Sequence, residues 1–394
     1  MLKEIESLVE KHQDRVIEIR RDIHQNPELA MEETRTAQLV KEELEKLGLE
    51  VEEKVGKMGV VGLLRGKGNG KTLLLRADMD ALPILEETDL DFKSKTDGKM
   101  HACGHDVHTS ILLGVAKVLA ELKDQFKGNI KFCFQPAEED NPTGGARFMI
   151  EDGVLDNPKV DAAMALHIWP MPLGQVALRR GTMMAQSDRL FLTVKGKSSH
   201  GAEPHKGQDA LVAAGHIITA IQTVISRNVD PMDSAVVTLG TIKGGSRYNV
   251  VCDKVTMEGT VRTFRPEVSE LMPIRIKALA EGVAAGLDCQ CDVSYVKGYS
   301  ATLNDPDLTD QVLVSLRETL GAENVILADK PGSGGEDFSE FAMRVPSVYY
   351  WLGFQSKENE GRTILHNPQL LVDEKAIAFG MKTMAKAALD YLNS

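Results

Sequence analysis

The chain has 394 residues, of which 42% are hydrophobic and 26% charged, and its formal net charge is −12. That length exceeds one ordinary hydrophobic core, and the composition is that of a globular protein with no run approaching the apolar length of a bilayer span. The acidic balance excludes a broad nucleic-acid footprint or an anionic membrane surface as partner, and five cysteines (Cys103, Cys133, Cys252, Cys289 and Cys291) are an odd, thin set that excludes a disulfide framework.

The chain opens on MLKEIESLVEKHQDRVIEIRRDIH, an amphipathic charged pattern without the apolar centre and cleavage site of a signal peptide, so a cytoplasmic location is expected. Helices are predicted over 2–22 and 32–47, separated at Asn26-Pro27, where proline disfavours continuation. Short apolar runs at 60–64 and 72–75 read as strands. The glycine-rich GKGNGK between them nearly imitates a phosphate loop, but its spacing is one residue short and a strand follows where a helix should. A helix over about 106–122 and strands at 130–135 and 162–166 continue a strand–helix alternation, the pattern of an α/β sheet covered on both faces. Near residue 185 the rhythm becomes strand 190–194, helix 209–226, strands 235–242 and 254–262, helix 268–285 and strand 291–296, the ferredoxin-like β-α-β-β-α-β order. The α/β pattern then resumes. The expected organisation is a catalytic α/β domain in two parts, 1–184 and 298–394, interrupted by an inserted ferredoxin-like α+β domain over 185–297.

Groups able to hold a metal gather at predicted strand ends, the edge where open α/β sheets bind ligands. They are Asp78 and Asp80 in RADMD, His101, Cys103, His105, Asp106 and His108 in HACGHDVH, Glu138, Glu139 and Asp140 in QPAEED, and His167 in ALH. Each alone has a bland reading: a lone strand-end histidine is more often structural, and paired loop glutamates are usually solvated. Together they form a mixed thiol, imidazole and carboxylate set, which suits zinc, cobalt or nickel and also admits manganese. Adjacent glutamates can divide two tasks, one ligating and the other holding a water as general base.

At these residues the chain resembles the dinuclear metal amidohydrolase and peptidase family of aminoacylases and carboxypeptidase G. It is most similar to the branch of hippurate hydrolases, N-acyl-amino-acid amidohydrolases and auxin-conjugate hydrolases. DIHQNPELAMEE, RADMDALPILE, MHACGHDVHTS, FQPAEE, ALHIWP, GKSSHGAEPHKGQDA, YNVV, EGTVRTF, GYSATLN, GGEDFSEF and LHNP carry the likeness, in family order along nearly the whole chain. The resemblance implies a zinc-peptidase-type, phosphorylase/hydrolase-like catalytic fold whose inserted domain serves as a dimerisation lid. It implies two divalent metal ions per subunit, zinc foremost with manganese, cobalt or nickel as alternatives, held by Cys103, His105, Glu139, His167 and His366. Glu138 is the implied general base and proton donor, with Asp80 a supporting carboxylate. His200 is the implied oxyanion donor to a partner subunit's site, making a homodimer the expected assembly and a tetramer an extension of it. Asn249, Arg262 and Gly335 are the implied substrate contacts. Peptidase branches usually carry His-x-Asp where this chain has Asp78-Met79-Asp80, and this departure favours the amidohydrolase side.

Side-chain chemistry alone leaves some of these open. His200 in Ser-Ser-His-Gly could be a surface-loop histidine, and Arg262 an edge-strand arginine facing solvent rather than a bidentate carboxylate clamp. Cys289-x-Cys291 in a strand points its thiols to opposite faces and is a poor ligand pair. The expected reaction is hydrolysis of an N-acyl-L-amino acid to a carboxylic acid and a free amino acid. A biosynthetic N-acetyl-diaminopimelate-type deacetylase, a non-catalytic metal-binding scaffold and a cysteine hydrolase using Cys103 with His105 are the alternatives.

Overall fold

A computed structural model describes residues 1–394, which fold into two compact units. The first comprises 1–183, 302–330 and 337–394; the second comprises 184–301 and 331–336. In chain order, the first part contains α1 (Leu2–Gln25), α2 (Thr34–Lys46), β1 (Glu50–Val55), β2 (Gly59–Arg65), β3 (Thr72–Asp78), α3 (His105–Glu121), β4 (Asn129–Gln135), α4 (Ala146–Glu151), β5 (Ala162–Pro172), β6 (Val176–Leu178) and β7 (Gly181–Met184). There follow β8 (Gln186–Lys195), α5 (Ala210–Asn228), β9 (Ala235–Gly244), β10 (Lys254–Thr263), α6 (Pro266–Ala285) and β11 (Gln290–Tyr299). The chain closes with β12 (Thr302–Asn304), α7 (Pro306–Leu320), β13 (Val325–Leu327), α8 (Ser339–Ala342), β14 (Ser347–Gln355) and α9 (Lys375–Asn393).

The first unit is built on an eight-stranded mixed sheet in the order β1-β2-β4-β3-β5-β14-β6-β13. Strands β4, β3, β5 and β14 run parallel at its centre. Strand β3 is buried at every residue, which is why its Leu73-Leu74-Leu75 stretch shows no alternation. The chain moves from β3 to β4 on one side and then to β5 on the other, so the loops leaving these three neighbours share one carboxyl edge, the usual place for a ligand site. Helix α3 is buried from His105 to Leu119 and packs against α1 and α9. Helix α1 turns Ile5, Val9, Val16, Ile19 and Ile23 inward at helical spacing. Gly104 precedes α3 with φ +86°, and a Cβ there would lie 2.2 Å from Ile168 Cδ1, so only glycine fits the turn that delivers Cys103 and His105.

The second unit holds a four-stranded antiparallel sheet in the order β11-β8-β10-β9, with α5 and α6 sharing its hydrophobic core. This is the mixed α/β architecture with a ferredoxin-like insertion expected from the sequence. Two readings are corrected. Strand β10, which carries Arg262, lies inside its sheet between β8 and β9 and is not an edge strand. One helix, α5, does reach the length and apolar composition of a membrane span, which uninterrupted apolar runs alone did not reveal because Gly215, His216, Thr219 and Gln222 break them. About a third of α5 is buried, through residues such as Ala213, Ile217, Ile221 and Val224.

Buried charge joins the layers of the first unit. Glu43 on α2, 3% exposed, accepts hydrogen bonds from Lys117 on α3 at 2.5 Å, Lys46 at 3.0 Å and Arg15 on α1 at 3.1 Å. Burial alone would raise this carboxyl; the three cations override it and hold it near about 2, below its ordinary 4.5. A depressed folded value stabilises above the unfolded one, so this contribution is full above pH 4.5 and is lost as pH falls toward about 2. Glu43→Gln, which leaves the Lys117 ammonium uncompensated, should destabilise the chain by about 3 kcal/mol near neutral pH. Urea denaturation of both proteins checks this, with the gap in midpoint expected to narrow below pH 4.5.

Candidate metal centre

The ends of β3 and β4, the middle of β5 and two loops converge near the carboxyl edge of the large sheet; His167 was expected to close its strand, but β5 continues to Pro172. Asp78 closes β3, and its carboxylate receives Arg76 Nη1 at 2.7 Å and contacts His108 Nδ1 at 2.6 Å. Asp80, two residues on, contacts His105 Nδ1 at 3.1 Å through one oxygen and accepts the Glu139 N–H at 2.9 Å through the other. His167, on β5, has Nδ1 against its neighbour's carbonyl, Ile168 O, at 2.6 Å, which turns Nε2 toward Cys103 Sγ at 3.4 Å. His366 arrives from a loop in the left-handed region, φ +62°, tied by its N–H to Ala102 O at 2.7 Å. Its Nε2 stands 3.3 Å from Cys103 Sγ and 3.1 Å from Glu139 Oε1.

The expected ligand residues are thus brought together. Donor atoms of Cys103, His105 and His167 form one trio, those of Cys103, Glu139 and His366 a second, and those of His105, Glu138 and Glu139 a third, each within 4.8 Å. Cys103 belongs to the first two trios, so its sulfur stands between two sets of donors. Glu138 Oε2 lies 4.0 Å from His105 Nε2.

These residues fit a cation. His105 Nε2 is buried and makes no hydrogen bond, although ligand-type atoms surround it. The electrostatics agree. Burial should lower the His105 imidazole, yet Asp78, Asp80 and Glu139 drive it up to about 10, a measure of the surplus negative charge. Burial, Glu139 and Glu138 push the Cys103 thiol well up, so without a positive charge beside it this sulfur is a poor thiolate and a poor nucleophile. Burial and the neighbouring His108 hold His167 neutral, the form in which imidazole ligates.

Some candidates from the same motifs stand apart. His101 is buried with neither ring nitrogen bonded, and burial lowers it to about 3. Asp106 serves packing: it accepts Arg20 Nε at 2.8 Å and contacts His24 Nδ1 at 2.8 Å, fastening α1 to the start of α3. Asp78 and His108, present in the motifs but outside the implied ligand set, prove central. His108 Nε2 accepts the Ile168 N–H at 2.9 Å, linking the end of β3 through Asp78 to the middle of β5. Arg76 was not anticipated; its guanidinium binds Asp78, Gln135 Oε1 at 2.9 Å and Asp337 Oδ1 at 2.9 Å. The signal was available in RAD itself, since an arginine in an otherwise apolar central strand demands buried partners.

Beside the cluster, Trp169 stacks on Trp351 with ring centroids 4.5 Å apart and planes at 7°, and Trp169 meets His167 edge-on at 6.0 Å. Ala137, just before the glutamate pair, adopts φ +54°, a conformation that costs a non-glycine residue on the order of 1–3 kcal/mol.

The remaining candidates belong to the second unit. His200 is exposed, bridges Val250 across a short antiparallel contact and accepts the Ala202 N–H on Nδ1 at 3.1 Å. Asn249 is its neighbour through the Gly201 N–H to Asn249 O bond of 2.8 Å, and its own Oδ1 is buried and unbonded. Arg262 is half-buried and donates to Thr260 Oγ1 and to Val261 O. Gly335 packs so close to Ser187 that a Cβ would lie 2.6 Å from the serine Cβ.

The chain is similar to known proteins along nearly its whole length. Residues 74–390 match the model of peptidase family M20/M25/M40. "Thermostable carboxypeptidase 2" of Saccharolobus solfataricus is 38% identical over 396 residues, covering 100% of this chain and 99% of that one. "N-acetyldiaminopimelate deacetylase" of Streptococcus gordonii is 38% identical over 380 residues, covering 95% and 98%. Among solved structures, the Bacillus subtilis YXEP protein, described as a dinuclear metal binding peptidase, superposes with a TM-score of 0.85 at 34% identity over 98% of this chain and 99% of that one.

Because Cys103 stands in two donor trios, Cys103→Ala should weaken metal binding by at least about tenfold. Metal content by mass spectrometry and titration calorimetry with Zn2+ and Mn2+ check this; unchanged stoichiometry and affinity would remove Cys103 from the ligand set.

Proposed function

Since the chain belongs to peptidase family M20/M25/M40 and is an amide-bond hydrolase of that family, we propose that it cleaves N-acyl-L-amino acids to a carboxylic acid and a free amino acid. The observation that carries the proposal is the Glu138-Glu139 pair, with Glu139 among the cysteine and histidine donors and Glu138 beside them. Cys103, His105, Glu139, His167 and His366 hold the metal in this reading. Two divalent cations there, zinc foremost, would polarise the scissile carbonyl and bring water's pKa down toward about 7.

Glu138 takes the proton released as water attacks the carbonyl carbon. It then returns that proton to the amide nitrogen as the C–N bond breaks, so the amine leaves neutral. Glu139, fixed through its N–H by Asp80, keeps its carboxylate turned to the donors and out of Glu138's task. The Ala202 N–H on His200 Nδ1 places the neutral ring's proton on Nε2, the state in which His200 can donate to a developing oxyanion. Arg262 and Asn249 are assigned to the substrate carboxylate, and Gly335 to a close approach that a side chain would block. Hippurate-type aromatic acyl groups are one expected substrate set. The identity to a diaminopimelate deacetylase supports a second reading, removal of an acetyl group from a biosynthetic amino acid. Five free cysteines fit a reducing, cytoplasmic compartment.

A homodimer is part of the proposal. Strand β9 ends the four-stranded sheet, and Val236, Ile242, Leu211 and Val212 on β9 and α5 are exposed. An unpaired apolar edge beside an apolar helix suits a second copy, and tetramers can be built from such dimers.

Amine release from acetyl, benzoyl and longer N-acyl amino acids and from dipeptides, by metal-reconstituted enzyme, should show turnover that falls about 100- to 10,000-fold in Glu138→Gln. Absence of turnover across the panel with several metals would overturn the reading. His200→Ala should lose about 100- to 1,000-fold. Mixing it with Glu138→Gln under conditions of subunit exchange should restore activity, because one site of each hybrid regains both groups. Failure of hybrids to recover, with exchange verified, would place His200 in its own subunit's site.

A further inference from the structure

The segment 27–33, PELAMEE, carries no group assigned above, yet it reaches both loops that bear the acidic residues of the site. Just after Asp80, the Ala81 N–H donates to Glu28 O at 2.8 Å, and Leu29 forms a parallel bridge with Ala81. Just before Glu138, the Ala137 N–H donates to Glu33 Oε1 at 2.7 Å. Glu33 is 0% exposed.

The sequence divides the labour between two glutamates. Glu33 stands immediately before α2, where a side chain ordinarily caps the first N–H groups, but its own does not. Glu28 does so instead, its two oxygens accepting the Arg35 and Thr36 N–H groups at 2.8 Å each. That releases Glu33 to reach the peptide of Ala137. Ala137 is held at φ +54°, a geometry an L-residue keeps only where its surroundings impose it. The turn is therefore gripped on both sides, by Glu33 at residue 137 and by Asp80 at residue 139.

We propose that Glu33 is a positioning residue for the amide hydrolysis, fixing the left-handed turn at Ala137 so that Glu138 and Glu139 diverge, one toward water and one toward the metal. The inference rests on the base and ligand roles proposed for that pair. A carbonyl oxygen at position 33 is what the turn requires. Glu33→Gln keeps one, and Glu33→Ala removes it.

The test compares both variants, reconstituted with Mn2+ or Zn2+, for kcat, KM, metal affinity by calorimetry, and thermal unfolding. Glu33→Ala should lower kcat on the order of 100-fold with KM within about twofold, and weaken metal affinity about 10- to 100-fold. Glu33→Gln should restore most of both. The kcat loss should also shrink when Glu33→Ala is made together with Ala137→Gly, since glycine adopts the turn without help. Folded Glu33→Ala with wild-type kcat and metal affinity would overturn the proposal, as would a Glu33→Gln no better than alanine. If wild type turns over no amide, the proposed function fails, and the positioning role is then judged by the metal affinities alone.

Discussion

The structure is organised around one electrostatic constraint: Asp78, Asp80, Glu138 and Glu139 are drawn together at the carboxyl edge of the parallel strands, where burial leaves them little water. Unpaired, such carboxylates would either take up protons or disrupt the fold. Arg76 answers part of the demand from within the sheet, bonding Asp78 on one side and Asp337 on the other. The imidazoles of His105 and His108 answer another part. What remains is a set of donors around Cys103 with surplus negative charge, of the kind a cation would offset.

The sheet order makes this concentration achievable. Because β3 has β4 on one flank and β5 on the other, three consecutive loops open at one edge without crossing. Backbone devices then aim the side chains: Gly104 in a turn closed against Ile168, Ala137 and His366 in left-handed conformations, and His167 turned by its own neighbour's carbonyl. None of these is a polar contact with a substrate, and each decides where a functional atom points.

Much of this was legible in the sequence. The strand–helix rhythm located the two kinds of sheet, because the buried strands β3 and β4 carry short apolar stretches such as Leu73-Leu74-Leu75, whereas the β-α-β-β-α-β order after residue 185 is distinctive whatever its packing. HACGHD, PAEE and ALH named the groups that the fold gathers, since metal-ligating chemistry uses few residue types. What the sequence concealed were relations spanning long separations. Arg76 and Asp337 are 261 residues apart, and nothing local in GGEDF says that its aspartate neutralises a strand arginine. The placement of β10 inside its sheet was equally hidden, because alternation along a strand reports burial and not the neighbours beside it. The apolar length of α5 is hidden in the sequence because Gly215, His216, Thr219 and Gln222 interrupt its apolar runs.

The pairing of Trp169 with Trp351 has a consequence of another kind. The chain contains two tryptophans, and both lie in one parallel stack whose outer ring touches the edge of His167. All of the protein's indole emission therefore originates within one side chain of the metal-binding cluster, and none comes from the second unit. A cation that captured His167 would act on the ring that Trp169 meets edge-on. Indole fluorescence of this chain therefore reports on the surroundings of His167, without dilution by distant tryptophans.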